Sequence, residues 1–132
     1  MPLAGERSCV LDASALLAML QGEPGAEVVQ ELLGTALISS VNWAEVTQKA
    51  LEWQAELQGL RLELMALGLE ILPFTAPVAE TAAQLRASTR QAGLSLGDRA
   101  CLATAAVLGL PAITADRVWT ELGLPIEIRA VR

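Results

Sequence analysis

Short apolar runs alternate with helical patterns along this chain, and few folds accommodate that alternation. Five runs predict strands, over residues 8–12, 36–40, 69–74, 111–115 and 126–131. The runs are nearly continuous in hydrophobicity, as expected for strands that are covered on both faces. Strands that alternate with helices form a parallel sheet with helices packed on both sides. The pattern therefore predicts an α/β fold with three layers, α/β/α, around a central, mainly parallel sheet of four to five strands.

The segments between these runs predict the helices. Their predicted positions are residues 13–21, 26–34, a long helix from residue 42 through residue 57, and residues 60–68, 76–93, 99–109 and 116–123. In the long helix, Trp43, Val46, Ala50 and Trp53 recur at a spacing of three or four residues and predict one buried face. Gly34 is predicted to end the second helix, and Gly59 is predicted to divide the long helix from the one that follows.

Composition and length predict one soluble domain over residues 1–132, without linkers or repeats. The longest uncharged stretch, residues 100–115, contains Gly109 and Pro111 and is shorter than the roughly twenty apolar residues of a membrane helix. Charged residues at Glu6 and Arg7 come too early for a signal peptide. We therefore expect a cytoplasmic protein that does not cross a membrane.

The absence of histidine excludes several kinds of catalytic site. Neither a Ser-His-Asp or Cys-His nucleophile system, nor an HExxH zinc site, nor a two-histidine ribonuclease is possible. The two cysteines, Cys9 and Cys101, form no CxxC motif and are predicted to be buried, reduced thiols. Any catalysis must use carboxylates, hydroxyls, arginines or a bound metal.

The net charge of −6 argues against a broad basic surface that coats nucleic acid. The chain has eight arginines and a single lysine, Lys49. Local contact with a phosphate backbone stays possible, because bound cations invert the sign of the charge at a site.

The acidic residues are unevenly distributed, with twelve glutamates and only three aspartates. Asp12 and Asp116 each follow a predicted strand, and Asp98 lies where a turn enters a helix. Glu45 is placed in the first turn of the helix after the second strand. In open sheets of this kind, ligands bind outside the carboxyl ends of the strands. We therefore expect these four carboxylates to converge at one edge of the sheet.

Taken singly, three of these acids have ordinary structural explanations. Asp98 is a candidate N-cap, Asp116 a turn residue, and Glu45 an acid favoured by the helix dipole. An acid that ends a buried strand, as Asp12 does, gains little structurally. The coincidence of all four on one predicted edge favours a shared site.

Several carboxylates in a small volume require either raised pKa values or a cation. Oxygen ligands without histidine or thiolate are typical of Mg²⁺ or Mn²⁺, which activate water and stabilise phosphoryl displacement. Ser14 and Thr114 are candidate donors to a carboxylate or a metal-bound water. Asn42 either does the same beside Glu45 or caps its helix. Two arginines that follow acids are candidates either for contact with phosphate or for surface ion pairs; they are Arg99 and Arg117.

Four segments resemble motifs of the PIN-domain nucleases, and of VapC-type toxins in particular. They are "VLDASALLAML", "ISSVNWAEV", "GLSLGDRACLATA" and "AITADRVW", in family order. The resemblance extends from about Cys9 to Arg129 and is most specific around Asp98. It implies a PIN-like three-layer fold.

The resemblance also implies a site and an activity. The family's acidic residues correspond to Asp12, Glu45, Asp98 and Asp116, with a hydroxyl often placed like that of Thr114. The implied function is a Mg²⁺- or Mn²⁺-dependent endoribonuclease. The implied partners are an RNA substrate, a second copy in a homodimer, and a small cognate antitoxin that commonly also binds DNA.

Other interpretations remain open on the residues alone. A non-catalytic interaction domain would keep the fold without binding metal. A response-regulator receiver or an aspartate-nucleophile phosphatase would need paired acids after the first strand and a lysine near the last strands, whereas this chain has "LDAS" and a mid-chain Lys49. A DNA-directed nuclease of the same fold usually carries insertions that this chain lacks. Trp43 and Trp53 are expected to pack in the core or at a dimer contact.

Overall fold

The computed structural model describes residues 6–132, which are built around a five-stranded parallel sheet. Strands β1 to β5 comprise Cys9–Leu11, Ala36–Ser39, Glu70–Leu72, Ala112–Thr114 and Ile128–Ala130. Their order across the sheet is β3-β2-β1-β4-β5, and each adjacent pair is parallel. The predicted parallel sheet is therefore confirmed, with the upper of the two predicted strand numbers.

Six α-helices connect the strands within residues 6–132. Helices α1 to α6 comprise Ala13–Gln21, Ala26–Leu32, Ser40–Leu51, Leu57–Ala66, Ala76–Thr89 and Leu96–Leu108. Short 3₁₀ helices cover Leu33–Thr35 and Arg117–Glu121. No helix in this part of the chain is both long and apolar enough to cross a membrane.

The core lies on both faces of the sheet, because successive strand residues point to opposite sides. On one face, Leu11 packs with Leu16 of α1 and Val46 of α3. On the other face, Val10 packs with Leu102 of α6. Both strand residues are fully buried. The sheet is thus covered from both sides, which gives the three layers that the sequence predicts.

The predicted extent of the long helix, from residue 42 through residue 57, is wrong. Helix α3 ends at Leu51, and a turn follows in which Gln54 adopts a positive φ of 60°. Trp53 lies beyond the helix and is 40% exposed, whereas Trp43 is partly buried against the core.

The two glycine assignments are also wrong. Gly59 lies inside α4, where its backbone N–H donates to the carboxylate of Glu56, the N-cap of that helix, at 2.6 Å. Gly34 lies in the 3₁₀ helix after α2, and the C-cap of α2 is Leu33 in the right-handed α conformation.

A close backbone approach fixes Gly68, and substitution there should destabilise the protein. Its φ is +114°, and an added Cβ would lie 2.5 Å from the carbonyl oxygen of Gly34. We expect Gly68→Ala to lower the free energy of unfolding by about 3 kcal/mol, from left-handed strain and backbone overlap together. Gly93→Ala is the control, since Gly93 has a φ of +69° with nothing within 4 Å of an added Cβ. It should cost about 1–2 kcal/mol from strain alone. Urea unfolding measures both, and equal losses would contradict this explanation.

Candidate active site

Asp12 is a buried carboxylate that ends β1 and begins α1. It is the N-cap of α1 and accepts from the backbone N–H of Ala15 at 2.8 Å. The hydroxyl of Ser14 lies 2.8 Å from each of its oxygens, and the hydroxyl of Thr114 in β4 donates to Oδ2 at 2.6 Å. The expectation that this acid gains little structurally is therefore wrong, because it caps a helix and joins β1 to β4.

Burial changes the acidity of this group. Desolvation raises the pKa of Asp12 from 3.8 to about 6, although hydrogen bonds from Thr114, Ala15 and Ser14 act in the opposite direction. The negative charge of Asp98 raises the pKa further. The two carboxylates therefore share one electrostatic environment despite the long sequence separation between them.

Glu45 lies in the second turn of α3, and not in the first as predicted, because the helix begins earlier, after its N-cap Ser39. Its carboxylate oxygen Oε1 accepts from Nδ2 of Asn42 at 2.9 Å. The same amide group donates to the backbone carbonyl of Gly97 in α6, also at 2.9 Å. Asn42 is 1% exposed, and its Oδ1 is buried without a hydrogen-bond partner among residues 6–132. Asn42 therefore joins α3 to α6 and orients Glu45; the alternative that it caps its helix is wrong.

Asp98 lies in the first turn of α6 but is not its N-cap. The N-cap is Ser95, whose Oγ accepts from the Asp98 N–H at 3.1 Å, while the N–H of Ser95 donates to Oδ2 of Asp98 at 3.0 Å. This reciprocal pair is a capping box. The preceding Gly97 has a separate role, because an added Cβ would lie 2.5 Å from Oε2 of Glu45. Only glycine leaves room for that carboxylate against α6.

Three of the four predicted acids line one surface pocket of about 280 Å³. Asp12, Glu45 and Asp98 line it, together with Ser14 and Asn42. The expected convergence at the carboxyl edge of the sheet is thus found for residues that are far apart in sequence.

Asp116 is placed differently, at the start of the 3₁₀ helix. It is exposed, and its carboxylate accepts from the N–H of Val118 at 3.0 Å. It is not among the residues that line the pocket. A link to the site runs through its backbone, because its N–H donates to Oγ1 of Thr114 at 3.0 Å, and Thr114 donates to Asp12.

The pocket carboxylates are each engaged by a nearby donor. Asp12 accepts from Ser14, Glu45 from Asn42, and Asp98 from the backbone of Ser95. Among residues 6–132, no group of three or more acidic or cysteine side chains is arranged so that it could hold a metal ion.

The two arginine candidates have different environments. Arg99 is 8% exposed, and its Nη1 donates to the backbone carbonyl of Ala82 in α5 at 2.9 Å. This buried position is contrary to the predicted contact with RNA phosphate. Arg117 is exposed on the 3₁₀ helix, and its contact with phosphate and its surface ion pair both stay predictions.

Both cysteines are buried and free, as predicted. Burial raises the pKa of the Cys9 thiol and, further still, that of Cys101. These thiols are therefore protonated core side chains. The sequence analysis did not identify Gly97 as a residue of the site, although it leaves room for the Glu45 carboxylate. The signal in the sequence was a glycine immediately before Asp98.

The raised pKa of Asp12 predicts a pH dependence of stability in the metal-free protein. Because the folded-state pKa exceeds the ordinary value, the folded state binds the proton more strongly, and stability falls as pH rises from 3.8 through about 6. For a pKa change of this size, the loss is about 3 kcal/mol. The free energy of unfolding is measured with urea in EDTA from pH 4 to pH 7. Over this range, wild type should lose most of that stability relative to Asp12→Asn. Glu80→Gln, at an exposed position of α5, controls for loss of a charge. A difference between wild type and Asp12→Asn that is independent of pH would contradict the assignment.

Comparisons with known proteins identify the family. A sequence model of the PIN domain matches residues 9–124. A comparison with curated protein sequences gave no significant match.

Solved structures share the fold over nearly their whole length. A toxin–antitoxin complex from Klebsiella pneumoniae matches with a TM-score of 0.78 and 25% identity, over 95% of this chain and 98% of that one. FitAcB from Neisseria gonorrhoeae matches with a TM-score of 0.71 and 25% identity, over 93% of this chain and 97% of that one. VapBC2 from Rickettsia felis, bound to a promoter DNA fragment, matches with a TM-score of 0.70 and 20% identity, over 92% of this chain and 97% of that one. At this identity the match supports the fold alone. Because the sequence model of the PIN domain matches most of this chain, the chain belongs to the PIN domain family.

Proposed function

We propose that this protein is a metal-dependent endoribonuclease and the toxin of a toxin–antitoxin pair. The observation that carries the proposal is the pocket of Asp12, Glu45 and Asp98, which a PIN-family fold assembles from three separate parts of the chain. The structural likeness to a toxin–antitoxin complex supports the second half of the proposal.

The residues of the pocket are suited to a hard cation. Their carboxylate oxygens are the ligand type that Mg²⁺ and Mn²⁺ favour. The space beside Gly97 is kept clear for the Glu45 carboxylate. We assign Asp12, Glu45 and Asp98 to hold the ion. Asp116 joins them only if its carboxylate leaves the N–H of Val118.

The bound cation would lower the pKa of a water and stabilise the charge that develops during phosphodiester hydrolysis. The protein's own residues prepare the site for it. Ser14 and Thr114 keep Asp12 in one orientation at the end of β1. Asn42 fixes Glu45 relative to α6, and therefore relative to Asp98 in the first turn of that helix.

The same pocket also bears on the non-catalytic alternative. The carboxylates are satisfied by protein donors, and no three of them are arranged to hold an ion within residues 6–132. An interaction domain that never binds metal would have this arrangement. Metal binding therefore distinguishes the two functions.

Self-association and an antitoxin are the proposed macromolecular partners. Large apolar side chains are exposed near the α3–α4 connection and on α4; they are Leu51, Trp53, Leu62, Met65 and Leu67. Leu62 and Met65 are three residues apart on α4 and therefore share a face of that helix, and exposed apolar patches are typical of interaction sites. We propose that a second copy and the antitoxin cover surface of this kind. Elution as a monomer at micromolar concentration would count against self-association.

Gly97 provides a test of the metal site that does not depend on RNA. In Gly97→Ala, the methyl group would displace the Glu45 carboxylate, so we expect Mn²⁺ affinity to fall by about 10-fold or more, as when a supporting contact of a metal site is lost. Gly93→Ala, which introduces a methyl group into open space, should bind Mn²⁺ as wild type does. Isothermal titration calorimetry measures both. An unchanged Mn²⁺ affinity in Gly97→Ala would show that Glu45 does not hold the metal ion.

RNA cleavage tests the activity directly. Wild type with Mg²⁺ or Mn²⁺ is incubated with a total RNA pool, and the new ends are mapped by sequencing, so that a selective enzyme is also detected. We expect discrete ends that disappear in EDTA and in Asp98→Asn, and that persist in Glu80→Gln. Absence of new ends together with absence of Mn²⁺ binding would favour the non-catalytic interaction domain. Cleavage by Asp98→Asn at the wild-type rate would show that the proposed site is wrong.

A further inference from the structure

The acidic pocket continues into a second pocket between α1 and α3. Both pockets are lined by Leu17 of α1 and Glu45 of α3, so they adjoin, and together they are called the groove. The second part is lined further by Gln48, Lys49 and Glu52. The groove therefore leads away from the carboxylates, along α3 toward the C-terminal end of that helix.

Lys49 is the one basic residue among those that line the two parts of this groove. Its ammonium group lies 3.4 Å from Glu52, and the two side chains are 46% and 62% exposed. An exposed ion pair of this kind contributes about 0–1 kcal/mol and exchanges partners readily. A lysine in the last turn of a helix also complements the helix dipole, which is its ordinary structural role. That role does not require a position in the groove.

We propose that this groove holds the substrate strand on one side of the scissile phosphate, and that Lys49 contacts a backbone phosphate of a neighbouring nucleotide. The inference rests on the proposed ribonuclease function. Glu45 and Lys49 are four residues apart on α3, which separates them by about 6 Å along the helix axis. Residues at this spacing lie on the same helix face. One face of α3 thus presents a carboxylate of the reaction site and then a cation one turn further on.

Four carboxylates also line this groove, so the metal-free groove is net acidic and its charge alone would favour a basic peptide; they are those of Asp12, Glu45, Asp98 and Glu52. The assignment of an RNA strand rests instead on the cation of the proposed function, which offsets the charge of the pocket carboxylates, and on Lys49, which attracts phosphate beyond them. Of the two arginines predicted to contact phosphate, Arg99 is buried against α5 and donates to Ala82, and Arg117 lines neither part of the groove. Lys49 therefore supplies a positive charge that the groove otherwise lacks among its lining residues.

The test compares Lys49→Gln with Lys49→Arg and Arg61→Gln. Arg61 is exposed on α4 and lines neither part of the groove. Binding of a short, random-sequence, fluorescein-labelled single-stranded RNA is followed by anisotropy with Mn²⁺ over a range of KCl concentrations. We expect Lys49→Gln to bind about 5-fold more weakly and to lower the slope of log K against log salt by about 0.7, the value for one lost phosphate contact on a single strand. Lys49→Arg should restore both values, and Arg61→Gln should match wild type.

Two further measurements separate this inference from the proposed function. Mn²⁺ affinity should be unchanged in Lys49→Gln, and at a mapped cleavage site its KM should rise while kcat is retained, as for a contact made equally in ground and transition states. If wild type cuts RNA and Lys49→Gln matches it in affinity, salt slope and KM, the groove assignment is overturned and the function stands. If wild type neither cuts RNA nor binds Mn²⁺, the function fails; the anisotropy measurement then decides alone whether the groove binds RNA.

Discussion

The hydrogen bond from Thr114 to Asp12 is the contact on which the site depends. It joins the ends of β1 and β4, adjacent strands at the centre of the sheet, through a carboxylate that also caps α1. Without these donors, a carboxylate that is 5% exposed would be buried without hydrogen bonds, which is strongly unfavourable. The same contact therefore stabilises the strand-to-helix connection and gives Asp12 a fixed orientation in the pocket.

Helix α6 contributes Asp98 to the pocket that Asp12 and Glu45 also line. Its capping box fixes Asp98 at the helix start, and the carbonyl of Gly97 accepts from Asn42 of α3. Because Asn42 also donates to Glu45, the distance between α3 and α6 determines where that carboxylate lies. A side chain at Gly97 would close the space that Glu45 occupies. The pocket is thus assembled by packing between helices as well as by the edge of the sheet.

Much of the fold and part of the site were predictable from sequence because both depend on local patterns. Apolar runs bounded by helical periodicity identified the strands, and acids placed after strands identified Asp12. What the local patterns did not predict depends on tertiary position. The direction in which Arg99 points depends on the packing of α5, and the break after Leu51 depends on a turn that periodicity does not encode. Asp116 follows a strand as Asp12 does, yet its carboxylate turns to the 3₁₀ helix.

Under the proposed function, burial of Asp12 links the stability of the protein to its affinity for the metal ion. Desolvation raises its pKa to about 6, so near neutral pH the metal-free protein keeps a buried negative charge at a cost in stability. A cation that binds only the folded state stabilises that state by mass action, and it does so most strongly when its ligand is deprotonated. Under the proposed function, the charge that destabilises the metal-free protein is the charge that attracts the ion. A bound divalent cation would offset most of the charge of the three carboxylates, so that an acidic protein can act on a polyanion at this pocket whatever the net charge of the chain.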